Sequence, residues 1–310
     1  MKYRNDNMLL RIAQADAYAL AAEYVQRDPS EQEYQDLLEI KRYIQHPRYH
    51  LCPAGTYTDD TQMSIAVAEV LLQGARSNAM IENSLTSNQF NAAFYEVFKR
   101  DQRDGYSRGF QKILEQATSP EHLRQLIIPN STKNGAAMRS VPLGVICNPN
   151  DVSYYATIQA STTHCTSEGI ISSKLVALMS HYALYEDGEF SQLLDWGKQY
   201  HAWFEYFREP WTGPVKLKHT HKSTFDIGMN TVWAVHTLLV EEKSLKDIMK
   251  RLLTWGGDTD SVAAIAWGIA SSRYQDEVLP EFLERDLEPS GKYGVPFLKG
   301  LGKLLMDAYE

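Results

Sequence analysis

GTYTDDTQMSIAVAEVL, residues 55–71, places two adjacent aspartates in front of a strongly apolar pattern. Apolar side chains recur in it at positions i, i+4, i+7 and i+8, namely Met63, Val67, Val70 and Leu71. This spacing predicts a helix with a buried face that begins beside Asp59 and Asp60. An acid at a helix start ordinarily caps the first backbone N–H groups, and one carboxylate is enough for that purpose. Capping therefore leaves the second carboxylate unexplained.

The stretch GGDTDSVAAIAWGI, residues 256–269, repeats this arrangement near the other end of the chain. Asp258, Asp260 and the hydroxyl of Ser261 stand at the start of a second apolar helix. Each motif alone is compatible with an ordinary helix cap. Together they would bring four carboxylates to the edge of a core, where their mutual repulsion requires a cation.

The ligands offered by these two motifs are all oxygen atoms, because neither motif contains a histidine or a cysteine. Such a set favours Mg²⁺ or Mn²⁺ before Ca²⁺ and argues against zinc. Two clusters could hold two ions about 3.5–4 Å apart, as binuclear hydrolytic sites do, and the ions would polarise a substrate oxygen or a water. Gly256 and Gly257 would let the backbone approach a ligand closely.

Helical periodicity dominates the regular parts of the chain, and convincing strand patterns are scarce. Ser119 followed by Pro120 is typical of a helix start, and residues 172–185 and 227–239 are further apolar helical stretches. The breaks in the pattern are too short or too varied to be flexible linkers, and they fall at 77–91, 128–150 and 209–223. We therefore expect a single all-α domain over residues 1–310.

Composition excludes several classes of protein. The formal charge of −8, with no long basic run, argues against bulk binding of nucleic acid. No apolar run reaches the ~18 residues of a membrane span, and the N-terminus lacks the pattern of a signal peptide. The three cysteines are scattered and odd in number, so reduced thiols are expected. These features predict a cytoplasmic protein without a membrane partner, and we expect a monomer.

Five blocks, taken in order, resemble the ADP-ribosylglycohydrolase family. They are Ala15-Asp16-Ala17 leading to Glu23, YTDDTQM at 57–63, NGAAMR at 134–139, Thr163-His164, and GGDTDS at 256–261. The resemblance implies an all-α, compact, orthogonal multi-helix domain with a central metal-binding cleft and two Mg²⁺ ions, for which Mn²⁺ could substitute. It also implies hydrolysis of the glycosidic bond between ADP-ribose and an acceptor. The expected partner is a protein ADP-ribosylated on a side chain such as arginine, or a related ADP-ribose conjugate.

The resemblance also implies roles for individual residues. The metal ligands would be Thr58, Asp59, Asp60, Asp258, Asp260 and Ser261, where Ser261 replaces the family's usual threonine. The substrate-binding residues would be Ser131, Thr132, Asn134 and Gly135 in a loop that cradles the diphosphate, with His164 near the distal part of the nucleotide and Gly257 beside the second motif. Arg139 is expected to pair with acids near the site or to contribute charge to a phosphate.

Glu23 matches the family's glutamate near the scissile bond. Asp16 and Glu23 are seven residues apart, so we expect them to share a helical face. Asp59, Asp60 or Glu23 could be the general base, because metal ligation and base catalysis both need an ionised carboxylate.

Three departures from the family pattern support an alternative. Ala15 and Ala19 stand where the family has glycines, and Lys133 replaces another. These changes could mark an ADP-ribose-binding or toxin-immunity protein on the same fold, with weak or no hydrolase activity. An all-α prenyl-diphosphate enzyme, which also uses Asp-rich helices, is disfavoured because the DDxxD spacing is absent. The acceptor linkage stays open.

Overall fold

The computed structural model describes residues 1–26, 28–50, 52–76, 85–216, 224–289 and 291–310. Parts of two breaks noted in the sequence, 77–84 and 217–223, lie outside this range. The described residues form no β-strand, and only two isolated bridges pair Asn130 with His164 and Val215 with Gly257. The predicted all-α class is therefore confirmed.

The helices follow one another with short connections and 3₁₀ turns. In chain order they are α1 Met8–Ala19, α2 Gln32–Leu38, α3 Asp59–Arg76, α4 Ser87–Arg100, α5 Arg108–Gln116, α6 Pro120–Leu126, α7 Gly135–Met138, α8 Pro149–Ser161, α9 Ser167–Tyr185, α10 Leu193–Gly197, α11 Ile227–Glu241, α12 Leu245–Trp255, α13 Thr259–Ala270, α14 Phe282–Arg285 and α15 Val295–Tyr309. The apolar stretches 172–185 and 227–239 lie within α9 and α11, so those two predictions are confirmed.

Local sequence explains where several helices begin. Ser119 accepts a hydrogen bond from the backbone N–H of His122, with Pro120 as the first residue of α6, as predicted. Thr166 and Ser244 cap α9 and α12 in the same way. Each hydroxyl satisfies a backbone donor that has no partner inside its own helix.

The centre of the molecule is α13, all of whose residues are buried. It packs against α1, which also contacts α3 and α15. Small residues allow this close approach: a Cβ atom at Gly268 would lie 2.6 Å from Cγ1 of Ile12. The two acidic motifs, at the starts of α3 and α13, are therefore both held next to α1.

Glu23 does not lie on the same helix as Asp16, and the prediction of a shared helical face is wrong. Helix α1 ends at Ala19, a 3₁₀ turn follows at Leu20–Ala22, and Glu23 then adopts an extended ψ of 114°. Tyr24 has a positive φ of 49°, and its N–H donates to the carbonyl of Gly257 at 2.8 Å. This long-range bond draws the chain off the helix axis and towards the second acidic motif.

No helix in the described part of the chain combines the length and the apolar character that crossing a bilayer would require.

Candidate metal and substrate site

The two acidic motifs meet at the N-terminal ends of α3 and α13. Carboxylate oxygens of Asp16, Asp60 and Asp260 lie within 4.8 Å of one another. A second group, formed by Glu23, Asp258 and Asp260, is equally close. Asp260 belongs to both groups, so the two sets of ligands are contiguous.

This crowding makes the carboxylates hard to ionise. Burial, followed by the charges of neighbouring acids, raises the pKa of Asp59 to about 8 and that of Glu23 to about 7. Burial also raises the pKa of Asp16 to about 6, although hydrogen bonds from Thr58 and Thr61 oppose the shift. A bound cation would relieve the repulsion that these shifts reflect.

The donor set fits a hard divalent cation. The pKa values of Asp60 and Asp260 lie well above the usual range because of burial and adjacent acids. Oδ1 of Asp60 is buried and has no hydrogen-bond partner, which is costly unless a ligand such as a metal ion satisfies it. The hydroxyl of Ser261 lies beside the Asp60 carboxylate. Oxygen-only ligands around an unsatisfied buried carboxylate suit Mg²⁺ or Mn²⁺.

The remaining residues of the first motif lie around this point. Thr58 is fully buried behind the cavity wall. Asp59 lines the cavity but belongs to neither close group of oxygens. Its Oδ1 lies close to the backbone of Gly105, where an added Cβ atom would be only 3.0 Å away. Asp59 thus lines the cavity next to these acids without belonging to either close group.

Sequence reasoning assigned no site role to Asp16, although this residue is part of the first block of the family resemblance. Asp16 is fully buried and accepts hydrogen bonds from Thr58 and Thr61 at the start of α3. The signal was a charged residue inside an otherwise apolar helix. Such a residue is rarely buried unless it is paired.

The predicted diphosphate loop reaches the metal motif through Asn134. Its Nδ2 donates to Oδ2 of Asp258 at 2.9 Å and to the hydroxyl of Thr231 at 3.3 Å. Ser131 lines the same cavity, as do Lys133, Asn134 and Gly135. Thr132 does not line it, and its hydroxyl donates to Asp226 at 2.5 Å. The loop is thereby tied to α11 on one side and to the acidic site on the other.

Arg139 has neutral partners, and the prediction that it pairs with acids is wrong for the described residues. It is buried and makes no ion pair there. Its Nε donates to Oε1 of Gln159 at 2.6 Å and its Nη2 to the hydroxyl of Thr163 at 2.8 Å. The Thr163 oxygen lies 2.6 Å from Nδ1 of His164. Because arginine only donates, the Thr163 proton is left to donate to His164.

This chain of bonds favours one tautomer of His164. With the Thr163 oxygen accepting from Arg139 and its proton free to donate, Nδ1 is favoured as the acceptor and Nε2 as the site of the ring proton. Burial, together with the positive charges of Arg139 and Lys133, lowers the pKa of His164 to about 3, and the ring is neutral. A Cβ atom at Gly135 would lie 3.0 Å from Cε1 of this ring, so glycine allows the loop to pack against it. His164 therefore offers one N–H donor at the cavity wall.

Gly257 does not line the cavity. Its φ is +87°, and a Cβ atom there would lie 2.1 Å from the carbonyl oxygen of Val215. The next residue, Asp258, donates its N–H to that same oxygen at 2.9 Å. The glycine thus permits a close backbone contact that positions Asp258.

The site residues that are not behind its wall open onto one cavity of about 1010 Å³, among them Asp59, Asp60, Asp258, Asp260 and His164. Glu23, Tyr24 and Tyr49 line it beside the acids. Another wall comes from the loop and helix at 104–113 and from Ile127 and Ile128. Sequence reasoning did not assign this wall to the site, since its residues carry no pattern that distinguishes them from an ordinary amphipathic helix.

The chain is similar to several known proteins. The model of a family described as ADP-ribosylglycohydrolase matches residues 7–306. ADP-ribosylhydrolase ARH3 of Gallus gallus is 23% identical over 308 residues, which cover 82% of this chain and 81% of the relative. ADP-ribosyl-[dinitrogen reductase] glycohydrolase of Rhodospirillum rubrum is 22% identical, covering 87% and 85%. A solved structure named ADP-ribosylglycohydrolase-related protein complex matches with a TM-score of 0.70 at 20% identity, covering 98% of this chain and 97% of that one, and shows the same fold.

Proposed function

Since this chain belongs to the ADP-ribosylglycohydrolase family and is a glycosidic-bond hydrolase, we propose that it cleaves the bond between ADP-ribose and an acceptor with the help of two Mg²⁺ or Mn²⁺ ions. The observation that carries the proposal is the pair of contiguous acid groups, joined at Asp260, around the unsatisfied Oδ1 of Asp60. The acceptor is a protein side chain or a related conjugate.

The protein ligands of the two ions would come from both helix starts. We assign this role to Thr58, Asp59, Asp60, Asp258, Asp260 and Ser261, and the carboxylate of Glu23 belongs to the second close group. When bound, the ions would polarise the ribose hydroxyls and lower the pKa of a water. The protein holds these ligands in a buried pocket, where electrostatic interactions are stronger than in water.

Cleavage of a glycosidic bond develops positive charge at the anomeric carbon. Asp59 and Glu23 both line the cavity, so either carboxylate can face that charge or accept a proton from the attacking water. Asp60 is better suited to metal ligation than to base catalysis, because it is more deeply buried and one of its oxygens lies in the close group with Asp16 and Asp260. The proposal therefore leaves Asp59 and Glu23 as the two candidates for the base.

The loop at 131–135 and His164 are proposed to bind the diphosphate and the adjoining nucleotide. A neutral His164 with its proton on Nε2 can donate to a phosphate oxygen without adding charge. Lys133 is exposed on the cavity wall and can add a positive charge at the mouth.

Of the three departures from the family pattern, Lys133 lies on the cavity wall, but the two alanines do not favour a protein that only binds ADP-ribose. Ala15 and Ala19 are fully buried in α1 and line no part of the cavity. Both are core residues, so their extra methyl groups change packing and leave the surface that meets substrate unaltered. The acids of both motifs are present, which supports hydrolysis over binding alone.

The test is release of ADP-ribose from a panel of arginine-, serine-, thymidine- and guanosine-linked substrates, with Mg²⁺ and with EDTA. Release from one member only with Mg²⁺ is the expected result, and it would also identify the acceptor. Asp151→Asn is a matched control for Asp260→Asn, because Asp151 also lies in the first turn of a helix, α8, but does not line the cavity. Tight binding of ADP-ribose without release from any substrate would refute the proposal in favour of a binding protein.

A further inference from the structure

Asp16 lies among the acids of the site, yet its two oxygens already have four hydrogen-bond donors. Oδ2 accepts from the N–H of Thr58 at 2.9 Å, from the N–H of Thr61 at 3.1 Å and from the hydroxyl of Thr61 at 2.6 Å. Oδ1 accepts from the hydroxyl of Thr58 at 2.9 Å. Each oxygen of an ionised carboxylate has about two acceptor positions, so Oδ2 is fully used by its three donors and Oδ1 keeps a single position.

On the basis of the proposed function, we infer that Asp16 is a positioning residue, which fixes the first metal-binding motif to α1 and is not itself a metal ligand. The carboxylate caps α3 from another helix, since Thr58 and Thr61 supply the backbone N–H groups that have no partner within α3. Asp16 therefore satisfies two of the backbone donors at this helix start, and the Asp60 carboxylate is not needed for them.

The contact with Thr58 also orients the proposed ligand atom. A hydroxyl has one proton, and that proton is directed at Oδ1 of Asp16, while the alternative contact to Oδ2 of Asp60 is longer, at 3.4 Å. The lone pairs of the Thr58 oxygen are thus left for a cation. Oδ1 of Asp60 has no hydrogen-bond partner.

Helix α1 fixes the second motif as well. The hydroxyl of Thr259 donates to the carbonyl of Ala19 at 2.8 Å, and the N–H of Tyr24 donates to the carbonyl of Gly257 at 2.8 Å. One helix therefore determines the distance between both sets of ligands. Asp16 is its only side chain that bonds the first motif among the described residues.

Thr61 allows this inference to be tested without altering any proposed ligand. It is fully buried, does not line the cavity, and its hydroxyl contacts Asp16. Thr61→Val removes that hydrogen bond at nearly constant volume, and Thr61→Ser keeps it. Thr237→Val is the matched control, because Thr237 is a buried threonine on α11 that bonds Trp211 and Trp233.

The measurement is Mn²⁺ binding, by calorimetry and by electron paramagnetic resonance, on full-length protein. We expect Thr61→Val to bind Mn²⁺ about tenfold more weakly, as is usual for loss of a group that orients a ligand, while Thr61→Ser and Thr237→Val bind as wild type does. Asp16→Asn should bind more weakly still but keep the wild-type number of ions.

Three results would overturn the inference. They are unchanged affinity in Thr61→Val, equal weakening in Thr237→Val, and loss of one bound ion in Asp16→Asn, which would make Asp16 a ligand. A wild-type protein that binds no Mn²⁺ would instead refute the proposed metal site, and the inference would fall with it.

Discussion

Thr163→Val should break the chain of hydrogen bonds that connects Arg139 to His164. The substitution keeps the side-chain volume but removes one acceptor from Nη2 of Arg139, at 2.8 Å, and the donor to Nδ1 of His164, at 2.6 Å. Nη2 retains only longer contacts, at 3.3 Å, to Thr162 and Gln159. The buried ring nitrogen loses its donor altogether.

The expected cost follows from these two losses. A hydrogen bond to a charged group contributes ~1.5–3 kcal/mol, and a buried polar atom left without a partner costs ~1–3 kcal/mol. Because the Arg139 side chain keeps other acceptors, we expect the free energy of unfolding to fall by about 2–4 kcal/mol. Free of its donor, the His164 ring should then populate the tautomer with the proton on Nδ1.

The assay combines urea unfolding with ¹⁵N NMR of the histidine ring nitrogens and calorimetric binding of ADP-ribose. Wild type should show a protonated Nε2, and Thr163→Val a mixture of tautomers with weaker ADP-ribose binding. Thr163→Ser should behave as wild type. If Thr163→Val retains a single tautomer with the proton on Nε2 and full affinity, the hydrogen-bond chain does not control His164, and the reasoning is refuted.

Three further predictions concern the acidic site. Gly257→Ala should lower the free energy of unfolding by more than about 2 kcal/mol, because a Cβ atom would lie 2.1 Å from the Val215 oxygen. Gly256→Ala is the control: its φ is +70° but the space around it is open, so it should cost only ~1 kcal/mol. Comparable losses for the two variants in urea unfolding would refute this prediction. Asn134→Ala should weaken Mn²⁺ binding about tenfold by removing the donor to Asp258, and unchanged calorimetric affinity would contradict it. In EDTA, the carboxyl groups of Asp16, Glu23 and Asp59, whose pKa values are raised to about 6, 7 and 8, favour the folded state when they are protonated. The free energy of unfolding should therefore decrease as the pH rises from 5 to 8. The decrease should be ~1.4 kcal/mol per pH unit for each group that titrates. Saturating Mg²⁺ should flatten or reverse that slope, and identical slopes with and without Mg²⁺ would count against a metal bound by these acids.

The helical class could be predicted from local sequence, because periodicity and capping act over a few residues. Ser119 with Pro120 shows this, since the cap and its partner are three residues apart. The path of the chain at Glu23 could not be predicted, because a bond from Tyr24 to Gly257 takes the chain off the helix. Gly257, the hydrogen-bond partner of Tyr24, is remote from it in sequence.

The candidate site shows the same division. Paired acids at two helix starts are visible in the sequence, and they indicate a cation. The groups that position them are not visible, because Asp16 and Asn134 act on residues 42 and 124 positions away. Arg139 was misassigned for a related reason: a charge suggests an acid as partner, but among the residues that the structure describes its hydrogen bonds go to neutral oxygens.

The most direct test of the central claim is an anomalous difference map from crystals of this protein soaked in Mn²⁺. The account predicts two peaks about 3.5–4 Å apart, with Asp260 in contact with at least one and Asp60 Oδ1 in contact with the other or with both. A map with no peak at these acids, or with Mn²⁺ bound only elsewhere, would contradict the account.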